Sequence, residues 1–314
     1  MTPRQATVPV RAAADLTADE FAILRAVLYA SLFDYPLTLA QLRASLIERR
    51  QTEAGLLSAY QESAALQAVI DYREGFFFCR GSQNPPAERL RRERASRALL
   101  AQHRWLLRLV CALPFTRLVA LSGSVAHLNV PPGGGDIDLF IVTRGRRVWS
   151  VTLTILAIAR LLGRRDLVCV NFVVADSAMR LDQQDLFSAN QIMHLKPLAG
   201  SGFYAAFVQA NPCVRQCYPN FEPAAPPAAS RAARAAGGLK RSIEMALSCG
   251  PAQAYDRLCR AVYGRHLRRR AATWPSPDQV RLLPDCLKLH TRSHRHSIME
   301  RFEALVAASV ESIA

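Results

Sequence analysis

Two aspartates, Asp136 and Asp138, stand at the head of the apolar run DIDLFIV. Three glycines, 133–135, precede them, and a Gly-Ser pair, Gly123 and Ser124, lies further upstream in LSGSVAHLNVPPGGGDIDLFIVT, residues 121–143. A strand that reads this way enters a core. Side chains at i and i+2 of a strand share one face, so both carboxylates fall on the same side. Two like charges that close repel, and one must take up a proton unless a cation sits between them. Oxygen donors at this spacing suit a hard divalent ion, Mg²⁺ or Mn²⁺. A glycine turn at a strand end lets backbone N–H groups approach a phosphate, and the serine hydroxyl adds a donor. No G-K-[ST] follows, so this is not a Walker A loop.

The flanking sequence reads as a small α/β domain over residues 113–200. FTRLVALSGS is a strand entering the glycine turn, DIDLFIVT a second strand, RRVWSVTLTILAIARLLG a helix and DLVCVNFVVAD a third strand. DQQDLFSANQIMHLKPL reads as a further helix begun at Asp182.

The order Gly-Ser, spacer, hydrophobic-flanked Asp-x-Asp resembles the signature of the polymerase-β-like nucleotidyltransferase superfamily, over about residues 114–200. More loosely, the CVNFVV, DLFSANQ and LKLHTRSHRH segments are similar to those of bacterial nucleotidyltransferase-domain proteins. The resemblance implies that Gly123 and Ser124 hold nucleotide phosphates and that Asp136 and Asp138 bind Mg²⁺ (or Mn²⁺). It also implies transfer of a nucleoside monophosphate from an NTP, with ATP the expected donor, to an acceptor that could be a small molecule, a protein or RNA. The superfamily's third carboxylate comes from a later strand. Here that strand offers Asn171, counted with Asp136 and Asp138 in the expected catalytic set, although an amide cannot act as a general base. The nucleophile then needs no base, or another residue supplies it, or the domain binds nucleotide without turning it over.

Two basic segments are candidate phosphate contacts. Arg144 opens RGRR, which leaves the second strand and is expected near the aspartates. Lys288 opens KLHTRSHRH, with His290, Arg292, His294, Arg295 and His296. Each also reads as a solvated face. His127 and His194 read as isolated structural histidines.

Upstream, residues 1–14 read as disordered. TADEFAILRAVLYASLF starts with a capping box, Thr17 with Glu20, and DYPLTLAQLRASLI repeats it with Thr38 and Gln41. A third helix over EAGLLSAYQESAAL and two short strands around an Arg-Glu-Gly turn complete a winged-helix pattern at residues 15–82. Its third helix carries Glu53 and Glu62 with no Lys or Arg between them, which suits docking better than DNA reading. Arg49 and Arg50 leave room for weak, nonspecific nucleic-acid contact. A connecting helix is expected over 83–112, and a helical C-terminal region over 201–314 with a mobile Pro/Ala-rich loop at 221–238.

The whole reads as a multidomain α/β (α+β) protein: winged helix, α/β domain with a mixed sheet, helical C-terminal region. Its 314 residues carry a net charge of +15, which favours anionic partners. The eight cysteines include no C-x-x-C pair, as expected of free thiols in the cytoplasm. The most hydrophobic run, residues 148–163, contains Arg160 and is short for a span, so no membrane partner is expected. A silent nucleotide-binding regulatory protein and a winged-helix DNA-binding regulator are the alternative readings.

Overall fold

The computed structural model describes residues 16–82, 86–131, 133–223, 231–248 and 250–313. The segment 1–14 and the core of the Pro/Ala-rich loop, 224–230, lie outside these. The described residues are mixed α/β, built on two sheets.

The N-terminal module begins with α1 (Ala18–Ser31), whose Thr17–Glu20 capping box is formed. Strand β1 (Leu37–Thr38) leads into α2 (Leu39–Ala44), capped by Thr38 with Gln41. The single helix expected next is two, α3 (Glu53–Glu62) and α4 (Ala64–Val69). Ser63 divides them, because its hydroxyl accepts from Leu66 N and starts a new helix. Strands β2 (Ile70–Arg73) and β3 (Phe76–Cys79) form the hairpin, and β1 adds to it in the order β1-β3-β2. Glu74 and Gly75 both have positive φ at its two-residue turn, as a primed turn requires.

The connecting helix is also two, α5 (Pro86–Gln102) and α6 (Arg104–Ala112), broken at His103. The main sheet then opens with β4 (Thr116–Ser122), followed by the one-turn α7 (Gly123–Ala126) and β5 (Ile137–Thr143). Helix α8 (Val148–Leu161) crosses to β6 (Val168–Ala175), parallel to β5. Helix α9 (Leu186–Met193) is capped by Asp185, not Asp182, because the Asp185 carboxylate accepts from Ser188 N at 2.9 Å. The end of that expected helix is instead strand β7 (Lys196–Ala199), paired with β4. Helices α10 (Ser201–Ala210) and α11 (Cys213–Cys217) follow.

The C-terminal region is not all helical. Part of the expected mobile loop, from Arg231, belongs to α12 (Arg231–Leu247), as its alanine content favours. After α13 (Gly250–Arg269), strands β8 (Val280–Leu282) and β9 (Cys286–Leu289) extend the main sheet to the order β7-β4-β5-β6-β9-β8. Helix α14 (Arg295–Ile313) closes the chain. No described helix is long and apolar enough to cross a membrane.

Strand alternation gives the main sheet two buried faces. Leu118, Ala120, Phe140, Val142 and Val174 face a cluster that continues into Ile23, Leu24 and Phe77 of the N-terminal module and Phe302 of α14. Val119, Leu139, Ile141, Val170 and Val173 face the other side, against Leu106, Trp149 and Cys259. Polar contacts fix the N-terminal module as well. Buried Asn220 donates to Arg43 O and Arg49 O and accepts from Gln51 N, and Glu48 N donates to Cys217 O at 2.7 Å.

Candidate functional site

The candidate site lies where β4 ends, β5 begins and β6 bulges. Ser122 pairs with Asp138 in the β4–β5 register. Between β5 and β6 the register runs Leu139 to Val170 and then Phe140 to Phe172, so Asn171 is the extra residue of a β-bulge. Val170 and Val173 therefore point to one face. Asn171 and Phe172 both serve the other, the face of Asp138 and Phe140.

Asn171 uses both ends of its amide. Its Nδ2 donates to Asp138 Oδ1 at 2.7 Å, and its Oδ1 accepts from Cys169 Sγ at 3.2 Å. The other Asp138 oxygen points at the glycine turn: a Cβ built on Gly123 would lie 2.2 Å from Oδ2. Gly123 has φ +63°, so the turn needs glycine both for its backbone and for the space it leaves. Ser124 follows in α7, half-buried, and comes within reach of Gly135 at the edge of the glycine-rich loop.

Asp136 is exposed just before β5, and Asp138 is half-buried. Burial, and then the charge of Asp136, push Asp138 up to about 7, against the lowering hydrogen bonds from Asn171 and Cys169. Asp136, Asp138 and Cys169 present ligand atoms within 4.8 Å of one another. Burial, followed by the charges of Asp138 and Asp136, raises the Cys169 thiol to about 11, so it stays protonated at neutral pH. The available donors for a cation are therefore the two carboxylates, with water completing a shell. A hard ion that keeps several waters fits that set, whereas a thiophilic one would need the thiolate.

Lys288 lies on the same face, further along the sheet. It pairs with Phe172 in the β6–β9 register, stands 5.6 Å from that ring's centroid and donates to Gln183 Oε1 at 3.3 Å. Two strand spacings, about 10 Å, separate β9 from β5. Ser122, Phe140, Phe172, Gln183, Lys288 and His290 line a shallow cavity between the aspartates and α9. Burial lowers the Lys288 amine, and burial with the Lys288 charge lowers His290 to about 4.

Arg144 is not at this site. It follows the last residue of β5, a seven-residue strand, while the aspartates stand at its start. At 3.3 Å per residue the separation is about 20 Å. Arg144 instead pairs with buried Glu244 of α12 at 3.2 Å. Nor are His127 and His194 isolated: their rings lie 4.0 Å apart between α7 and the N-terminal module, and burial first, then Lys196 and Arg89, holds His127 down to about 4.

Ser122, Cys169 and Phe172 join the site without having been singled out in the sequence. Period-two alternation from Leu118 and Ala120 could have found Ser122, and alternation back from Asn171 could have found Cys169. Phe172 needed the bulge. None of the described cysteines forms a disulfide. No family model, curated protein or solved structure matches the chain.

Proposed function

We propose that the protein is a Mg²⁺-dependent nucleotidyltransferase (Mn²⁺ would serve equally) that moves a nucleoside monophosphate from an NTP, with ATP the first donor to test, to an acceptor. The observation that carries this reading is the contact of the half-buried Asp138 carboxylate with the Gly123 turn, with Asp136 alongside. A phosphate donor turn and a hard-cation carboxylate pair share one strand end. A divalent ion bound by Asp136 and Asp138 would supply charge stabilisation to the reacting phosphate and to the departing pyrophosphate.

The chain's own residues have separate tasks. The N–H groups of the Gly123 turn and the Ser124 hydroxyl bind phosphate oxygens. Asn171 holds Asp138 in one rotamer by donating to Oδ1, which leaves Oδ2 on the phosphate side. Lys288 supplies positive charge from two strands away on the same sheet face. Arg144 drops out of the phosphate contacts. Asn171 cannot accept the proton of an attacking hydroxyl, so the acceptor that fits best is one already anionic, such as a phosphate or carboxylate.

The same observation favours a second reading, a nucleotide-binding regulatory protein without turnover. An amide bonded to both neighbours occupies the third carboxylate's place. The N-terminal module has the element order of a winged helix. Its attachment through Asn220 and Glu48 supports a docking role over DNA regulation, with nucleic acid bound only weakly.

The deciding experiment is pyrophosphate release from each NTP with Mg²⁺, with and without candidate acceptors. Release that is lost in Asp138→Asn supports the enzyme. A nucleotide-dependent rise in melting temperature without release supports the regulator. Neither release nor a melting shift removes both.

A further inference from the structure

At the far end of β5 from the aspartates, two cavities of about 470 and 530 Å³ share a wall made by Phe115 and Arg147. Both fall in the size range of small-molecule sites. One is apolar, lined by Leu113, Pro114, Val151, Leu247 and Tyr255. The other is lined by Arg144, Arg146, Arg147, Arg257 and Arg260, with Asp256.

Two carboxylates stand at this place against the arginines, and both already accept hydrogen bonds. Asp256 accepts from both Ser150 N and Ser150 Oγ, at 2.9 and 2.7 Å. Glu244 pairs with Arg144 and Arg117 and accepts from Phe115 N. Arg146, Arg147, Arg257 and Arg260 form no ion pair among the described residues. Arg147 is the informative one: it is 8% exposed, lies 5.1 Å from the Phe115 ring centroid, and makes no side-chain hydrogen bond to any described residue. Arg147 lines both cavities, so an anion in either one meets its guanidinium. It also stands at the N-terminus of α8, where a cation opposes the helix dipole and an anion is favoured. Phe115 is held at φ +65°, a costly conformation for a bulky side chain, and this sets its ring at the junction of the two cavities.

We propose that the two cavities form one binding site for a soluble phosphorylated amphiphile. Its phosphate or pyrophosphate rests on Arg146, Arg147, Arg257 and Arg260, and its hydrocarbon part lies in the adjoining apolar cavity. Guanidinium forks match phosphate oxygens in pairs, and several of them converging select a multiply charged head over a single carboxylate. A polynucleotide would use the arginines but has no part for the apolar cavity. The assignment is independent of the aspartate site, one strand length away.

The test is calorimetric titration of the full chain in EDTA with inorganic pyrophosphate and with geranyl pyrophosphate. The expected result is binding of both, the geranyl compound at least tenfold tighter. Replacing Arg146, Arg257 and Arg260 together with Ala should weaken both at least tenfold. Those side chains are exposed or half-exposed, so the fold should tolerate the change. Leu247→Gln with Tyr255→Gln should erase only the advantage of the geranyl compound. Asp136→Asn with Asp138→Asn should change neither affinity. Equal affinities for the two compounds, or no binding, would overturn the proposal. So would affinities untouched by the arginine changes, or binding lost with the aspartates. Arginine-dependent capture on phosphatidic acid vesicles without binding of the soluble compound would overturn it in favour of a membrane surface.

Discussion

Asn171 donates its amide to Asp138 at 2.7 Å from a β-bulge on the parallel neighbour strand. The bond fixes one oxygen of a carboxylate whose other oxygen touches Gly123. A three-residue relation between strand, bulge and turn therefore sets how Asp138 meets anything bound there.

Replacing Asn171 with Asp puts a third carboxylate into this cluster. Without a divalent ion the variant should be less stable than the parent at pH 8, by roughly 1–2 kcal/mol, since each pKa unit forced on a carboxylate costs about 1.4 kcal/mol. Millimolar Mg²⁺ should restore it, with half-saturation about tenfold lower than for the parent. Melting curves over a Mg²⁺ series check both. Equal Mg²⁺ dependence in parent and variant would mean that the aspartates do not hold the ion.

Gly123→Ala should destabilise by about 1–3 kcal/mol, because φ +63° is strained for alanine. Its Cβ also displaces Asp138 Oδ2. The increase in melting temperature given by Mg²⁺ with NTP should vanish in the same variant. Loss of stability with the increment retained would separate the turn from phosphate binding.

Acid should weaken the fold through buried histidines. The ordinary value for His127 is 6.5 and its folded value about 4, so between these the unfolded chain binds more protons. Its contribution is complete above pH 6.5 and falls away as pH drops toward 4, by about 3 kcal/mol for this one group. His290, also held to about 4, adds in the same direction. Asp138 opposes them. Its folded value of about 7 exceeds the ordinary 3.8, so in metal-free protein its contribution is present below pH 4 and is lost as pH rises to 7. Denaturation midpoints from pH 4 to 8 in EDTA should rise overall to 6.5, and more steeply in Asp138→Asn. A slope unchanged in Asp138→Asn would contradict the raised carboxylate.

Asn220→Ala removes three hydrogen bonds to the backbone at 43, 49 and 51. Chemical denaturation should show a loss of about 2–4 kcal/mol, given that stranded buried partners cost about 1–3 kcal/mol each and part of the gap admits water. Protease cleavage between α2 and α3 should rise with it. A stability within 0.5 kcal/mol of the parent, on the order of a surface change, would mean that the N-terminal module is not anchored there.

Duplex DNA should bind weakly and without sequence preference, with affinity that falls steeply from 50 to 200 mM salt. Gel-shift assays across that range check it. Nanomolar, sequence-specific binding at physiological salt would replace the docking role with a regulatory one.

Local patterns carried much of the fold. The capping boxes at Thr17 and Thr38 formed because their hydrogen bonds close within four residues. Strands β4, β5 and β6 and helix α8 were legible because each is long and apolar enough to declare its period. The juxtaposition of Asp136 and Asp138 followed from their spacing alone. Tertiary structure decided the rest. Strands β7, β8 and β9 have three or four residues each, too few for a period, and exist because open sheet edges offer them backbone partners. A β-strand carries its ends far apart, so Arg144, six residues beyond Asp138 in sequence, lies a strand length from it. Lys288, 150 residues beyond, lies on the same face. The bulge that turns Asn171 toward Asp138 arises from the pairing of two strands, and neither strand's sequence encodes that pairing by itself.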